Sequence, residues 1–183
     1  MNLFHGSNKK FDKFKISKEL TITNENNLME GYGVYMTSNY ILAKNHGEYV
    51  YTIDINTNEI SDFTDKEYIM KLLRIINKEI DCDIEDFINI SDFIDYVLVG
   101  NISVTTLYLE IFAMLDNNAA FWDEYEDRIT DDDDCISKQI KNSFLKNTCD
   151  IFKYYDTGYK QDIYICFRNE EKLNIVSIEN SDI

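Results

Sequence analysis

The spacing of apolar residues changes along the chain, and this change most constrains the possible fold. Near both ends, aromatic and β-branched residues form short runs that are typical of strands, at residues 2–5, 31–35, 49–55, 163–167 and 173–178. From about residue 64 to 155, apolar residues instead recur at three- and four-residue spacing, which indicates helices. We therefore expect one α+β domain over residues 1–183, in which short antiparallel strands from both chain ends form the core and residues 64–155 form a large helical insertion.

Several local signals predict where helices begin and end. Thr64 and Glu67 fit a capping box before a helix whose apolar face comprises Ile69, Leu72, Leu73, Ile76 and Ile80. Further helices are expected over 84–98, from Val104 to Leu115 and over about 135–152, and Asp131–Asp134 is expected to be an exposed loop. Near the amino end, Thr37 or Ser38 is expected to cap a short helix that Gly47 ends. Trp122 is expected to pack in a core.

Three sequence pieces stand in an order that points to a known chemistry. They are Leu3-Phe4-His5-Gly6-Ser7, then Gly31-Tyr32-Gly33-Val34-Tyr35-Met36-Thr37-Ser38, and finally Gln161-Asp162-Ile163-Tyr164-Ile165-Cys166-Phe167. Together they resemble the His-Tyr-acidic branch of the ADP-ribosyltransferase fold, over residues 2–7, 31–55 and 154–178. Within that fold the chain is similar to small bacterial and phage ADP-ribosyltransferases, including an anti-CRISPR group that shares an Ala-x-x-His-Gly segment, here Ala43–Gly47.

The resemblance implies that NAD is the substrate and that the first two pieces hold it. His5 would bond the adenosine-side ribose hydroxyls, Gly6 would bring its backbone close to the nicotinamide carboxamide, and Ser7 would add a hydrogen bond there. Tyr35 would stack on the nicotinamide ring. His46 stands where the family usually supplies a second aromatic side chain.

The third piece would supply the acidic residue that stabilises the oxocarbenium-like state of nicotinamide–ribose cleavage. The resemblance places Asp162 in this position, with Gln161 or Asp156 as alternatives if the register shifts. Thr37 either contacts the pocket floor or simply caps the helix, and the cap is favoured.

Ordinary structural roles remain open for the same residues. His5 would be a partly buried polar side chain, Tyr35 a core residue and Asp162 a turn residue before a strand. The two histidines lie far apart in sequence and the four cysteines form no Cys-x-x-Cys pair, so no metal site is expected. The absence of a Gly-x-Ser-x-Gly elbow and of a P-loop disfavours a serine hydrolase and an NTPase.

The net charge of −16 bears on the partner. Such a charge repels nucleic acids and anionic membranes, so it favours a protein acceptor with a basic surface; the alternative is an acidic surface that serves solubility alone. The sequence contains no apolar run of membrane-spanning length, and the bacterial cytoplasm is the expected location. We expect a phage anti-defence or toxin effector that transfers ADP-ribose from NAD to a host protein. NAD hydrolysis, or stoichiometric inhibition by an acidic decoy without catalysis, is the alternative.

Overall fold

The computed structural model describes residues 1–16, 33–100, 104–130 and 135–181, and the chain forms two compact units. The first unit comprises Met1–Asp62 together with Cys149–Ile183, so it is built from both ends of the chain. The second unit is the continuous segment Phe63–Thr148.

Within the described residues, the first unit contains a seven-stranded sheet and one short α-helix. The strands are β1 (Asn2–Ser7), β2 (Val34–Thr37), β3 (Tyr49–Asp54), β4 (Ile60–Asp62), β5 (Ile151–Asp156), β6 (Gln161–Cys166) and β7 (Asn174–Asn180). Their order across the sheet is β4-β5-β6-β2-β1-β3-β7. The β4–β5 pair is parallel and the other pairs are antiparallel. Strands from the two chain ends therefore share one sheet, as the strand-like runs at both ends predicted.

Side chains on one face of this sheet form the apolar core of the first unit. Because side chains alternate along a strand, every second residue of β1, β2, β3 and β6 reaches the same face. The buried residues of this cluster include Leu3, Val34, Met36, Tyr51, Ile53, Tyr164 and Cys166. Phe14 belongs to the cluster, and Phe11 and Ile16 pack against it from the loop that follows β1.

The prediction that helix continues to about residue 152, and the helical insertion to 155, is wrong. The last helix ends at Asn147, and Thr148 has an extended backbone, with φ −115° and ψ 153°. Ile151 continues the helical spacing of Ile136, Ile140 and Phe144, but the aromatic and β-branched run that begins at Ile151 pairs with β6 instead. Strand pairing across the sheet thus determines the conformation of this segment.

The short helix of the first unit is α1 (Tyr40–Lys44). Asn39, rather than Thr37 or Ser38, is the N-cap, and its Oδ1 accepts from the amides of Ile41 and Leu42 at 3.0 and 3.2 Å. Helix α1 ends before Gly47, and a Cβ atom at Gly47 would collide with the backbone of Ser7. Glycine at this position is therefore required by the close approach to β1.

The second unit is helical. Its helices are α2 (Lys66–Ile80), α3 (Ile84–Phe87), α4 (Ile90–Leu98), α5 (Leu107–Asp116), α6 (Ala119–Thr130) and α7 (Ile136–Asn147). The predicted apolar face of α2 is buried in full, at Ile69, Leu72, Leu73, Ile76 and Ile80.

Three predictions for the second unit are corrected, and one helix was missed. Asp65, rather than Thr64, caps α2 through a hydrogen bond to the amide of Glu67. The segment 84–98 forms two helices, and α6 was not predicted as a helix. Trp122 is 36% exposed rather than in the core, and its Nε1 donates to the carbonyl of Asp116 at 2.8 Å. The predicted loop Asp131–Asp134 lies outside the described residues.

Within the described segments, each helix is too short or too polar to span a lipid bilayer.

Candidate active site

A cleft of about 450 Å³ opens on the first unit, and it contains most of the residues that the sequence singled out. Its volume lies within the range of small-molecule and cofactor sites. The lining residues come from β1, β2, β5, β6, α1 and the adjoining loops: Phe4, His5, Gly6, Tyr35, Met36, Thr37, Leu42, Ala43, His46, Tyr154, Asp156, Tyr159 and Ile163. The structure thus brings His5, Gly6, Tyr35, Thr37 and His46 together.

His5 joins β1 to β2 where their backbone pairing stops. Within the described residues, these strands pair at Phe4 and Thr37, a register that would place Gly6 opposite Tyr35. The carbonyl of Tyr35 accepts instead from the ring of His5, whose Nδ1 lies 2.7 Å from it. At the cleft, the ring of His5 therefore donates to the Tyr35 carbonyl in place of a backbone N–H group.

The surroundings of His5 determine its protonation state. Burial lowers its pKa, the Tyr35 carbonyl opposes this shift, and the charge of His46 lowers the pKa further. A carbonyl oxygen only accepts, so Nδ1 carries the proton of the neutral ring and Nε2 remains a hydrogen-bond acceptor. The ring packs edge-on against Phe14 at 5.2 Å between centroids, and Phe11 and Tyr51 lie within 6.4 Å. His5 is therefore a rigid, neutral acceptor at neutral pH.

Gly6 and Thr37 each have a structural role beside the cleft. A Cβ atom at Gly6 would collide with the carbonyl oxygen of Ala43, so the contact between β1 and α1 requires glycine here. Thr37 is buried, and its Oγ1 accepts from the amide of Asn39 at 3.0 Å, which fixes the turn into α1. Thr37 thus lines the cleft and also stabilises the start of the helix, although it is not the cap.

Ser7 and Gln161 are not among the lining residues. Ser7 Oγ accepts from the amide of Lys9 at 3.1 Å, which is a local turn contact. Gln161 lies near α1, where its Oε1 accepts from Nδ2 of Asn39 at 3.4 Å.

The two aspartates proposed for the acidic position occupy different environments. Asp156 ends β5 and lines the cleft. Asp162 is not a lining residue, and its carboxylate forms an ion pair with Lys153 at 3.2 Å. The same ammonium group lies 2.9 Å from Asp62. Partial burial would lower the pKa of Lys153, but hydrogen bonds from the ammonium group to both carboxylates outweigh burial and raise it.

Sequence reasoning missed two aromatic residues that line the cleft, Tyr154 and Tyr159. Tyr159 lies in the turn between β5 and β6 and meets His46 edge-on, with ring centroids 5.5 Å apart. With thirteen tyrosines in the chain, no local pattern distinguishes this one. The structure thus places a second aromatic ring beside the histidine that stands at the family's second aromatic position.

The donor set of the cleft suits an organic ligand. In the described parts of the chain, no cluster of three or more His, Cys, Asp or Glu side chains is arranged to hold a metal ion. The lining combines aromatic rings, which can stack on the flat rings of a ligand, with a histidine acceptor and one carboxylate, which can bind hydroxyl groups.

The mixed α+β structure and its seven-stranded sheet are those of an ADP-ribosyltransferase-like fold. Comparison with known families gives the same class, because the family described as "Anti-CRISPR Type I-F ADP-ribosyltransferase AcrIF11" matches residues 1–123. The chain belongs to this family of anti-CRISPR ADP-ribosyltransferases. The matched segment ends before β5 and β6, so Tyr154, Asp156, Tyr159 and Asp162 lie beyond it.

A solved structure described as "Crystal structure of an anti-CRISPR protein" aligns with 98% of this chain and 93% of its own, at 12% identity and a TM-score of 0.44. No curated protein matches this chain.

Proposed function

We propose that this protein uses NAD to ADP-ribosylate a host protein and so acts as an anti-CRISPR effector. The observation that carries the proposal is the convergence of His5, Gly6, Tyr35 and His46 on one cleft of about 450 Å³. These residues come from two strands and a helix terminus, and the family of the chain is one of ADP-ribosyltransferases.

Each of these residues would have a separate task in binding NAD. The Nε2 atom of neutral His5 would accept a hydrogen bond from a ribose hydroxyl. Tyr35 would stack on the nicotinamide ring, and His46 would border the same subsite. Gly6 would present backbone groups to the carboxamide, because it has no side chain to block them.

The reaction exchanges one bond at the nicotinamide ribose. The bond between C1′ and the pyridinium nitrogen breaks, and its electron pair leaves with neutral nicotinamide. A nucleophilic atom of the acceptor then bonds to C1′ and releases its proton. A nearby carboxylate would stabilise the positive charge that develops on the ribose, and Asp162 and Asp156 are the candidates; Gln161, the third residue considered for this position, could offer only the oxygen of a neutral amide.

We propose that the acceptor is a protein of the Type I-F CRISPR machinery with a basic surface. The family description supplies the first part, and the net charge of −16 supplies the second. Opposite charges accelerate association and exclude other acidic partners. The encounter would take place in the cytoplasm of a bacterium that carries this defence system, after a phage gene is expressed.

The test incubates the full chain with biotin-labelled NAD and a purified Type I-F interference complex. We expect label on the complex and release of nicotinamide, and we expect Tyr35→Ala to abolish both. The control is Tyr155→Ala, since Tyr155 lies on β5 but does not line the cleft.

Three other outcomes would contradict the proposal in different ways. Nicotinamide release without labelled protein would favour an NAD glycohydrolase. Inhibition of the interference complex without NAD, unchanged in Tyr35→Ala and weakened by salt, would favour an acidic decoy. No NAD consumption and no inhibition would exclude all three activities.

A further inference from the structure

We propose that Asp156, at the end of β5, supplies the carboxylate that stabilises the reacting ribose, and that Asp162 does not. The assignment rests on the proposed function, because it concerns the same cleft. The catalytic carboxylate would then lie at the end of β5 and not at the start of β6, where the resemblance places it.

Strand register places the two aspartates on opposite faces of the sheet. Residues that pair across neighbouring strands share a face, and the face alternates along each strand. Tyr154 pairs with Ile163, and both line the cleft, so Asp156, two residues after Tyr154, reaches the same face. Asp162 pairs with Tyr155 and therefore lies on the other face.

The surroundings of Asp162 reinforce this separation. Its carboxylate shares the Lys153 ammonium group with Asp62, at 3.2 and 2.9 Å respectively. Lys153 pairs with Tyr164 and so lies on the face away from the cleft. The negative charge of Asp162 is thus partly neutralised by a cation on its own face, and it has a structural role there.

Asp156 has the charge and the fixed geometry that the reaction needs. Among the described residues that line the cleft, it carries the sole carboxylate. Its Oδ1 accepts from the amide of Tyr159 at 2.8 Å, which fixes the side chain at the turn. Within the described residues, no hydrogen bond or ion pair engages Oδ2. Gln161 shares this face as the strand partner of Asp156, but its amide has no negative charge to offer.

The chemistry requires a fixed negative charge and a proton acceptor. As the C1′–nitrogen bond breaks, nicotinamide leaves with the electron pair and positive charge develops on the ribose. The Asp156 carboxylate stabilises this charge in place. When the acceptor atom bonds to C1′, its proton passes to the same carboxylate or to water, and the sum is NAD plus acceptor giving ADP-ribosyl acceptor, nicotinamide and a proton.

The experiment compares two isosteric variants of the full chain, Asp156→Asn and Asp162→Asn. Asparagine keeps the oxygen that accepts from Tyr159, so Asp156→Asn removes the charge and retains the turn. We measure nicotinamide release and label transfer to the Type I-F complex, and we measure NAD binding by thermal shift. We expect Asp156→Asn to lower kcat at least about 100-fold while the NAD-induced shift persists, and Asp162→Asn to stay within a few-fold of wild type.

The outcomes separate this assignment from the proposed function. If wild type and Asp156→Asn are both active, the assignment of Asp156 is wrong but the proposed function stands. The same conclusion follows if wild type is active and only Asp162→Asn, although folded, is inactive. A wild type that consumes no NAD overturns the proposed function and the assignment with it. If Asp156→Asn lost both kcat and the NAD-induced shift, Asp156 would be a binding residue and the catalytic assignment would be wrong.

Discussion

Tyr51 controls the loop that holds His5 in place, and its replacement by phenylalanine gives a quantitative test of the site. Tyr51 is completely buried, and its hydroxyl accepts from the amide of Phe11 at 2.7 Å and donates to the carbonyl of Lys9 at 3.1 Å. Burial raises the pKa of this phenol, so the hydroxyl stays protonated. The ring also stacks on Phe11 at 4.3 Å between centroids.

The Tyr51→Phe substitution keeps the stacked rings and removes only the two hydrogen bonds. The amide of Phe11 would then be left partly buried without its partner, which costs about 1–3 kcal/mol of unfolding free energy. With an m-value of roughly 2 kcal/mol/M in urea, a loss of about 2 kcal/mol lowers the midpoint by about 1 M. Hydrogen exchange should locate the change, because the Phe11 amide should exchange faster while β3 stays protected.

Tyr49→Phe is the matched control, since Tyr49 lies on the same strand and face and its hydroxyl forms no hydrogen bond within the described residues. We expect that variant to unfold near the wild-type midpoint. If the two variants had equal midpoints and equal exchange at Phe11, the hydroxyl would not hold the loop and the reasoning would be refuted.

Three further results are expected. The folded-state pKa of His5 is lowered from its ordinary value of 6.5, so its contribution to stability is present above pH 6.5 and is lost as the pH falls below it. Urea unfolding at pH 7.5 and 5.5 should show that wild type loses more stability than His5→Asn between these pH values. Equal losses in the two proteins would contradict this prediction. Tyr159→Ala should raise the KM for NAD about 2- to 12-fold, as an aromatic contact of about 0.5–1.5 kcal/mol predicts, while Tyr159→Phe should match wild type; equal KM values in steady-state kinetics would exclude a role for the ring. Gly6→Ala should lower stability by about 1–3 kcal/mol, because its methyl group would meet the Ala43 carbonyl, and an unchanged thermal midpoint would disprove that close contact.

Local patterns in the sequence were enough for the elements with strong periodicity. The apolar face of α2 and the aromatic, β-branched strand β3 were predicted because each requires burial on one side at a fixed spacing. The predictions failed where local signals competed, as in 148–156, where a run of residues compatible with a helix pairs as a strand. Pairing with β6 outweighs the weak local preference for helix in this segment. The neighbouring residues in the sequence do not indicate that pairing.

The sequence by itself determined the class of fold and one half of the cleft. His5, Gly6, Tyr35 and His46 lie within the first 46 residues, in motifs that resemble those of ADP-ribosyltransferases. The other half depends on tertiary structure. Whether Asp156 or Asp162 faces the cleft depends on the register between β5 and β6, since a shift of one residue exchanges the two faces. The contact of Tyr159 with His46 likewise joins positions that are more than one hundred residues apart, and only the folded sheet brings them together.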